Sequence, residues 1–375
     1  MSVTLDDLRR MTLAQSLFRP TTLKRALHRM QFVQADPIRA PARAQDLILR
    51  HRVSGYQAGD LERRYELLGV EEDFFINYGF VTRELQGLMH PRSRSSVPAA
   101  GCLPWPAGRR KRAQLLYEFV RERGSVHPQE VDAHFAHGRV TNYWGGTSNA
   151  TTHLLDAMHY QGLLRIVRRK AGIRIYAARE QEATIPDKAM RHARLDALAD
   201  AAIGIYAPLP LPSLRFLLRR LRYATPQWER EIGATIQRAK ERLAHAQIDG
   251  VEWYWPQQWK LKRGSFPDDS VRLLAPFDPV VWDRDRFELL WGWTYRFEAY
   301  TPPAKRIRGY YALPLLWRDR IIGWGNLSVK GGQLQADIGY QSGKPKDTMF
   351  RSELEAELAR MRTFLGLEAT QGSQV

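Results

Sequence analysis

Leu164-Arg165-Ile166-Val167-Arg168-Arg169-Lys170-Ala171-Gly172-Ile173-Arg174-Ile175-Tyr176 is the stretch on which the fold class turns. Apolar and basic side chains alternate on both sides of a Lys-Ala-Gly break, and a period of two puts every second residue on the same face. The segment reads as a β-hairpin with an arginine-rich outer face. Three helical patterns precede it. Arg112 to Arg123 carries Leu115, Leu116, Phe119 and Val120 as a core-facing stripe that stops at Gly124. Pro128 to Phe135 is a short second helix. Thr151 to Gln161, with Leu154, Leu155 and Met158 inward, is a third. Three helices and then a basic hairpin make a winged helix, a unit whose third helix and wing often meet DNA.

The flanking sequence extends this pattern. The first hundred residues read as mostly helical: Val3 to Leu17 has apolar positions at helical spacing, and Thr21 or Thr22 can cap a second helix through Met30. The period then breaks at Gln31 to Pro37, where Pro37 pushes Asp36 extended, and Pro41 opens a third helix to about Arg52. A helical block from Asp187 to about Gln247 reads as another winged-helix-like unit, with helices at Leu214 to Leu221 and Ile232 to Leu243. From Arg272 the aromatic and branched runs Phe287–Trp293, Tyr295–Tyr300, Ile307–Leu313 and Arg320–Val329 predict strands, and a helix from about Thr348 to Phe364 closes the chain. The expected fold is α+β. Tandem winged-helix (helix-turn-helix) units occupy residues 1–100, 101–182 and 183–263, and a small C-terminal β-barrel with a terminal helix occupies 264–375.

The 375 residues carry 57 Lys and Arg against 40 Asp and Glu, a net charge of +17. Such a field draws polyanions, of which nucleic acid is the commonest, although a solvated basic surface has the same composition. The cations are mostly arginine and they cluster, as at Arg109-Arg110-Lys111-Arg112 and along the hairpin; arginine forks match phosphate oxygens two at a time. No apolar run approaches the ~18 residues of a membrane helix, and Met1 to Arg10 is no signal peptide. The one cysteine, Cys102, excludes an internal disulfide, a thiolate zinc finger and an iron–sulfur cluster. Phosphate-loop, dinucleotide and zinc-protease motifs are missing. His134 and His137 are three apart but lack an evident third ligand. Trp253, Trp255 and Trp259 are candidates for base stacking or for packing. The expectation is a cytoplasmic, nucleoid-associated monomer with no metal, cofactor or membrane contact.

Gln34-Ala35-Asp36 is the candidate site. In an extended segment residues i and i+2 point to one side, so Gln34 and Asp36 face one space while Val33 and Ala35 face the other. An aspartate that merely caps the next turn, beside an exposed glutamine, would read the same way.

Gln34-Ala35-Asp36-Pro37-Ile38, followed by Ala42-Arg43-Ala44-Gln45-Asp46-Leu47, resembles the N-terminal motif of the winged-helix HTH-42 DNA glycosylases, the YcaQ-like and AlkZ-like proteins. Leu274-Ala275-Pro276-Phe277-Asp278-Pro279-Val280-Val281-Trp282-Asp283-Arg284, and then Tyr295-Arg296-Phe297-Glu298-Ala299-Tyr300, resemble their C-terminal signatures. The resemblance covers nearly the whole chain, and Gln-x-Asp places it with the YcaQ branch. The middle residue is alanine where a larger aliphatic is common, and Gly323-Trp324-Gly325-Asn326 stands where Gly-Arg-x-Asp is expected.

What the resemblance implies is hydrolysis of the N-glycosidic bond of alkylated, N7-type purines in duplex DNA, with unhooking of interstrand crosslinks in some members. Asp36 would stabilise the oxocarbenium-like sugar and take a proton from water that Gln34 orients. No lysine stands at the motif to form a Schiff base, which points to a monofunctional enzyme. Arg39, Arg43, Arg50 and Arg52 flank the motif, and Arg43 and Arg50, two turns apart, would share a helix face. Arg39, Arg43 and Arg50, with Arg165, Arg168, Arg169, Lys170 and Arg174 of the hairpin, are the candidate DNA contacts. The alternative is a non-catalytic winged-helix transcriptional regulator, which would tolerate loss of the Asp36 carboxylate.

Overall fold

The structure, a computed structural model, describes residues 3–92, 105–136, 138–141, 147–180, 186–259 and 268–367. It is a mixed α+β chain that divides into two compact units. The first comprises Met1–Leu61, Asp200–Leu218 and Ile236–Val375, and the second Glu62–Ala199 and Arg219–Thr235. Four consecutive domains were the expectation. The first unit joins stretches distant in sequence, which hold one another through buried charge.

In the first unit, the helices Leu5–Ser16 and Leu23–Met30 start where their capping residues dictate. Thr4 and Asp7 form a reciprocal capping box, and the Thr22 hydroxyl accepts from the Arg25 N–H. Gln31, at φ 58°, ends the second helix and turns the chain into the short strand Phe32–Gln34. The next helix is Ala44–Leu49 and does not open at Pro41. Two prolines disfavour helical backbone at Asp36 and Ala40, and the Ala40 N–H closes a tight turn onto the Ala42 carbonyl.

Arg52 explains why this segment and the C-terminal one share a core. Its guanidinium is fully buried and forks onto both Asp278 oxygens at 2.8 and 2.9 Å, while also donating to the Ser16 and Ile48 carbonyls at 2.7 Å. Arg286, equally buried, donates to the Pro208 and Pro279 carbonyls at 2.9 Å. Burial lowers its pKa to about 10.

The C-terminal sheet is antiparallel, four-stranded and curled as half a barrel: Val271–Leu273, Leu313–Trp317, Arg320–Lys330 and Gln333–Tyr340, in sequence order. A Cβ on Gly323 would lie 2.1 Å from the Gly339 carbonyl, and one on Gly339 would run into the Trp324 ring, so glycine is required for this close approach. The helix Thr348–Leu365 lies along the first strand, where its buried Glu357 accepts from the Leu273 N–H at 2.9 Å. Three expected strands are not strands. Ile307–Leu313 is turn and loop until Leu313, where the strand Leu313–Trp317 begins. Phe287–Trp293 falls largely within the helix Arg284–Trp291, capped by Asp283 and stopped by Gly292 at φ 66°. Its aromatic content suggested a strand, but Phe287, Leu290 and Trp291 are buried at helical spacing. Tyr295–Tyr300 is irregular, and its Glu298 organises a loop described below. The sheet is therefore smaller than the predicted barrel. A hairpin, Leu243–Ile248 with Val251–Pro256, follows the helix Ile232–Arg242 and buries Trp253 and Trp255, so these two are core residues. The basic cluster Lys260, Lys262 and Arg263 lies outside the described residues.

In the second unit, the helices Ala107–Arg123, Pro128–Phe135 and Ala150–Tyr160 precede the hairpin Leu164–Lys170 and Ile173–Ala178, whose turn places Ala171 and Gly172 at positive φ. Leu116, Val120, Val131, Leu155, Met158, Ile166 and Tyr176 form one core. Val126 bridges Tyr176 as a third strand position. Leu115 faces solvent rather than the core. A second hairpin, Val70–Phe74 with Tyr78–Thr82, lies in a region expected to be helical. It carries Glu71, Glu72 and Asp73, all buried.

Candidate active site

The strand Phe32–Gln34 delivers the Gln-x-Asp motif, but it has no solvent face: Phe32, Val33 and Gln34 are all buried. Gln34 is 4% exposed, and its Oε1 has no hydrogen-bond partner among the described residues. Asp36 lies beyond the strand, half-buried. Its Oδ1 accepts from the Ile38 N–H at 2.9 Å, so it does cap the next turn. No ion pair holds it among the described residues. Burial raises its carboxyl pKa above the ordinary value, against the opposing pull of the Ile38 hydrogen bond. A half-buried acid that takes one backbone N–H and no cation retains an oxygen for other work.

Arg39, Ala40 and Pro41, which follow directly, form one wall of a cleft of about 890 Å³ whose other walls include Tyr310, Tyr311 and the strand residues Asn326 to Lys330. The charge of Asp36 is felt there. The Tyr311 phenol is pushed up by burial and then by the Asp36 carboxylate, and the phenol of the neighbouring Tyr300 is raised by what cover it has and then by the same carboxylate. Tyr300 and Ile307 are 80% and 75% exposed, so the site's rim is apolar.

This rim is held by Glu298. Its carboxylate accepts from the Ile307, Arg308 and Gly309 N–H groups at 2.8–3.2 Å. Burial opposes its charge, but these donors hold its pKa below the usual range. The departure Gly323-Trp324-Gly325-Asn326 serves the same loop. Asn326 donates to the Arg308 carbonyl at 2.6 Å, and the Arg308 guanidinium lies over the Trp293 and Trp324 rings. The sequence signal for this rim was the Tyr-Arg-Phe-Glu-Ala-Tyr motif, which strand propensity obscured.

The predicted DNA-binding residues separate. Arg39 is exposed on the cleft wall. Arg43 is half-buried as the residue before the helix Ala44–Leu49. Arg50 is turned inward, paired with Glu357 at 2.8 Å with its side chain 4% exposed, and Arg52 is committed to Asp278. Neither offers a fork to a phosphate. The shared helix face expected for Arg43 and Arg50 does not arise, because the helix between them is only six residues long and nearly all buried.

In the second unit the acid row claims three of the hairpin cations. Arg165 binds Glu71 at 2.6 Å, Arg169 forks onto Glu72 at 2.6 and 2.7 Å, and Arg174 lies between Glu72 and Asp156. Arg168, 3.9 Å from the exposed Glu66 carboxylate, and Lys170 remain exposed near the tip. Asp73 sits between Arg92 and His90, both at 2.8 Å. His134 stacks on Phe119; His137 and Tyr143 to Gly146 lie outside the described residues. Among the described residues no three potential metal ligands come together, and no helix is long and apolar enough to cross a membrane.

A family model described as DNA glycosylase AlkZ-like matches residues 27–364. Among solved structures, the Streptomyces sahachiroi DNA glycosylase AlkZ is similar in fold, with a TM-score of 0.61 at 13% identity over 98% of each chain.

Proposed function

The chain belongs to the AlkZ-like DNA glycosylases, hydrolases of the N-glycosyl bond in DNA, and on that premise we propose that it excises alkylated, N7-type purines from duplex DNA with Asp36 and Gln34 as its catalytic pair. The observation that carries this reading is the state of Asp36: half-buried, raised in pKa, bound to no cation and adjoining a cleft of about 890 Å³ with Arg39 on its wall.

An N7-alkylated purine is already cationic and leaves without a strong general acid. The demand falls on the sugar, which turns oxocarbenium-like as the bond breaks. A carboxylate in a partly sheltered site meets that demand, and it can also take the proton of the attacking water. The buried carbonyl oxygen of Gln34 suits the orientation of that water. The cleft is open along one side, which favours bulky modified bases, crosslinked ones included.

Residues 107–178 act in this reading as a winged helix whose exposed Arg168 and Lys170 approach the phosphate backbone, together with Arg39 and Arg43 near the cleft. Phosphate contacts supply affinity with little sequence preference. The enzyme works as a single chain and is monofunctional.

The test is incubation with a duplex carrying one N7-methylguanine. Free base and an alkali-labile abasic site are expected. No free base would refute the substrate assignment, and strand scission without alkali would refute the monofunctional one.

A further inference from the structure

We propose that Tyr311 is a further catalytic residue of the Asp36 site, its hydroxyl donating a hydrogen bond to the attacking water; the proposal rests on the glycosylase reading above. Tyr311 lines the cleft together with Arg39, Ala40 and Pro41, the residues that follow the motif. It is 3% exposed, and its hydroxyl has no hydrogen-bond partner among the described residues. A buried hydroxyl left unpaired destabilises a fold, so such a group calls for an explanation.

Its neighbour Tyr295 shows what a purely structural phenol does in the same cluster. Equally buried, Tyr295 donates to the Ala312 carbonyl at 2.7 Å. Tyr311 makes no such bond. Its ring is held edge-on to Phe297, with centroids 5.3 Å apart, and Phe297 is itself held by Phe277 at 5.2 Å. The hydroxyl is therefore fixed in place by packing rather than by a bond of its own.

In this proposal three groups together supply what one water needs. A water molecule has two protons to give and two lone pairs. The free Asp36 oxygen and the unpartnered Gln34 Oε1 are acceptors for the two protons. The Tyr311 O–H is a donor for one lone pair, which leaves the other aimed at the sugar. Tyr311 stays a donor, since burial and then the Asp36 charge both resist its ionisation. In the step itself the water oxygen bonds to C1′ and the C1′–N9 bond breaks. The bonding pair returns to the cationic purine, which leaves neutral, and the water proton passes to Asp36.

Tyr311→Phe removes one oxygen and nothing else. In single-turnover release of N7-methylguanine from duplex DNA, the rate is expected to fall on the order of a hundredfold, the lower end for removing one positioned donor. Affinity for the duplex should not change, and the melting temperature should hold or rise, because an unpaired buried hydroxyl is lost. A double Tyr311→Phe/Asp36→Asn variant should be no slower than Asp36→Asn alone, since both act through the same water. An undiminished rate in Tyr311→Phe overturns the proposal. So does a reduced rate accompanied by a lower melting temperature or weaker binding, which marks a packing role. If the wild-type protein releases no base, the glycosylase substrate reading fails first and the role of Tyr311 with it.

Discussion

Replacing Asp36 by Asn tests the site at its centre. The change is isosteric, and the amide oxygen can still accept from the Ile38 N–H, so the turn is kept. What is lost is charge and basicity. At half burial an effective dielectric near 20 is appropriate, and a carboxylate ~4 Å from a unit charge is then worth about 4 kcal/mol. Only the part that grows toward the transition state counts. With an N7-alkylpurine the positive charge already resides on the base and migrates to the sugar. If it moves from ~7 Å to ~4 Å, the gain is about 2 kcal/mol, roughly twentyfold. Loss of a general base adds ~10²–10⁴-fold. Asp36→Asn should therefore slow single-turnover base release by about a thousandfold or more, with duplex affinity unchanged or slightly tighter. Because burial raises the pKa of Asp36, the fold gains nothing from its ionised form at neutral pH. The variant should melt no lower than wild type. In the wild-type protein the rate should fall as pH drops through that raised carboxyl pKa. A variant within about tenfold of wild type would refute the assignment, and one that unfolds early would show Asp36 to be structural.

Asp278→Asn should cost ~3–5 kcal/mol in a urea titration, because it strands the fully buried Arg52 charge; an unmoved midpoint would show that the pair holds nothing. Arg168→Ala and Lys170→Ala should each reduce the slope of log affinity against log salt by about 1, whereas Arg169→Ala should leave that slope alone and lower stability by taking the guanidinium fork from Glu72, whose side chain is inaccessible; equal slope changes in all three would contradict the division. His90 is held neutral, burial taking its pKa to about 4 despite the opposing pull of Asp73. Its folded pKa thus lies below the unfolded value of ~6.5, so stability is complete above that value and is lost as pH falls toward 4, by up to about 3 kcal/mol. Urea midpoints at successive pH values, in wild type and in His90→Asn, check this: the variant's profile should be flatter, and an equally steep one would place the titration elsewhere.

The elements legible in the sequence were those fixed by neighbours along the chain. Thr22, Gly124 and the Ala171-Gly172 turn each set a boundary through backbone geometry a few residues away, and each stands where the spacing places it. The break in the helical period at Gln31 to Pro37 was legible too, because a proline and two polar residues interrupt it. Several of the misreadings involve partners far along the chain. A run such as Glu71-Glu72-Asp73 resembles a solvated loop until Arg92, Arg165 and Arg169 are known to close on it. Those pairings also change what +17 means. Part of the arginine excess neutralises buried acids and never reaches a polyanion, so the hairpin's count of cations overstates its grip on phosphate. The aromatic run after Asp283 was taken for strand because β-propensity measures the fit to a half-buried surface, and a helix packed among other aromatics offers the same surface. The regulator alternative fell to the family match and not to any single residue. The sequence held a signal against it nonetheless: a lone acid just ahead of two prolines, with no basic residue within two positions, serves poorly as a phosphate contact and well as a charge aimed at a cation. The same reasoning extends to Glu298. Two acids lie near one cleft, and the one that collects three backbone N–H groups is spent on holding the rim, while the one that collects a single N–H keeps its field for the substrate.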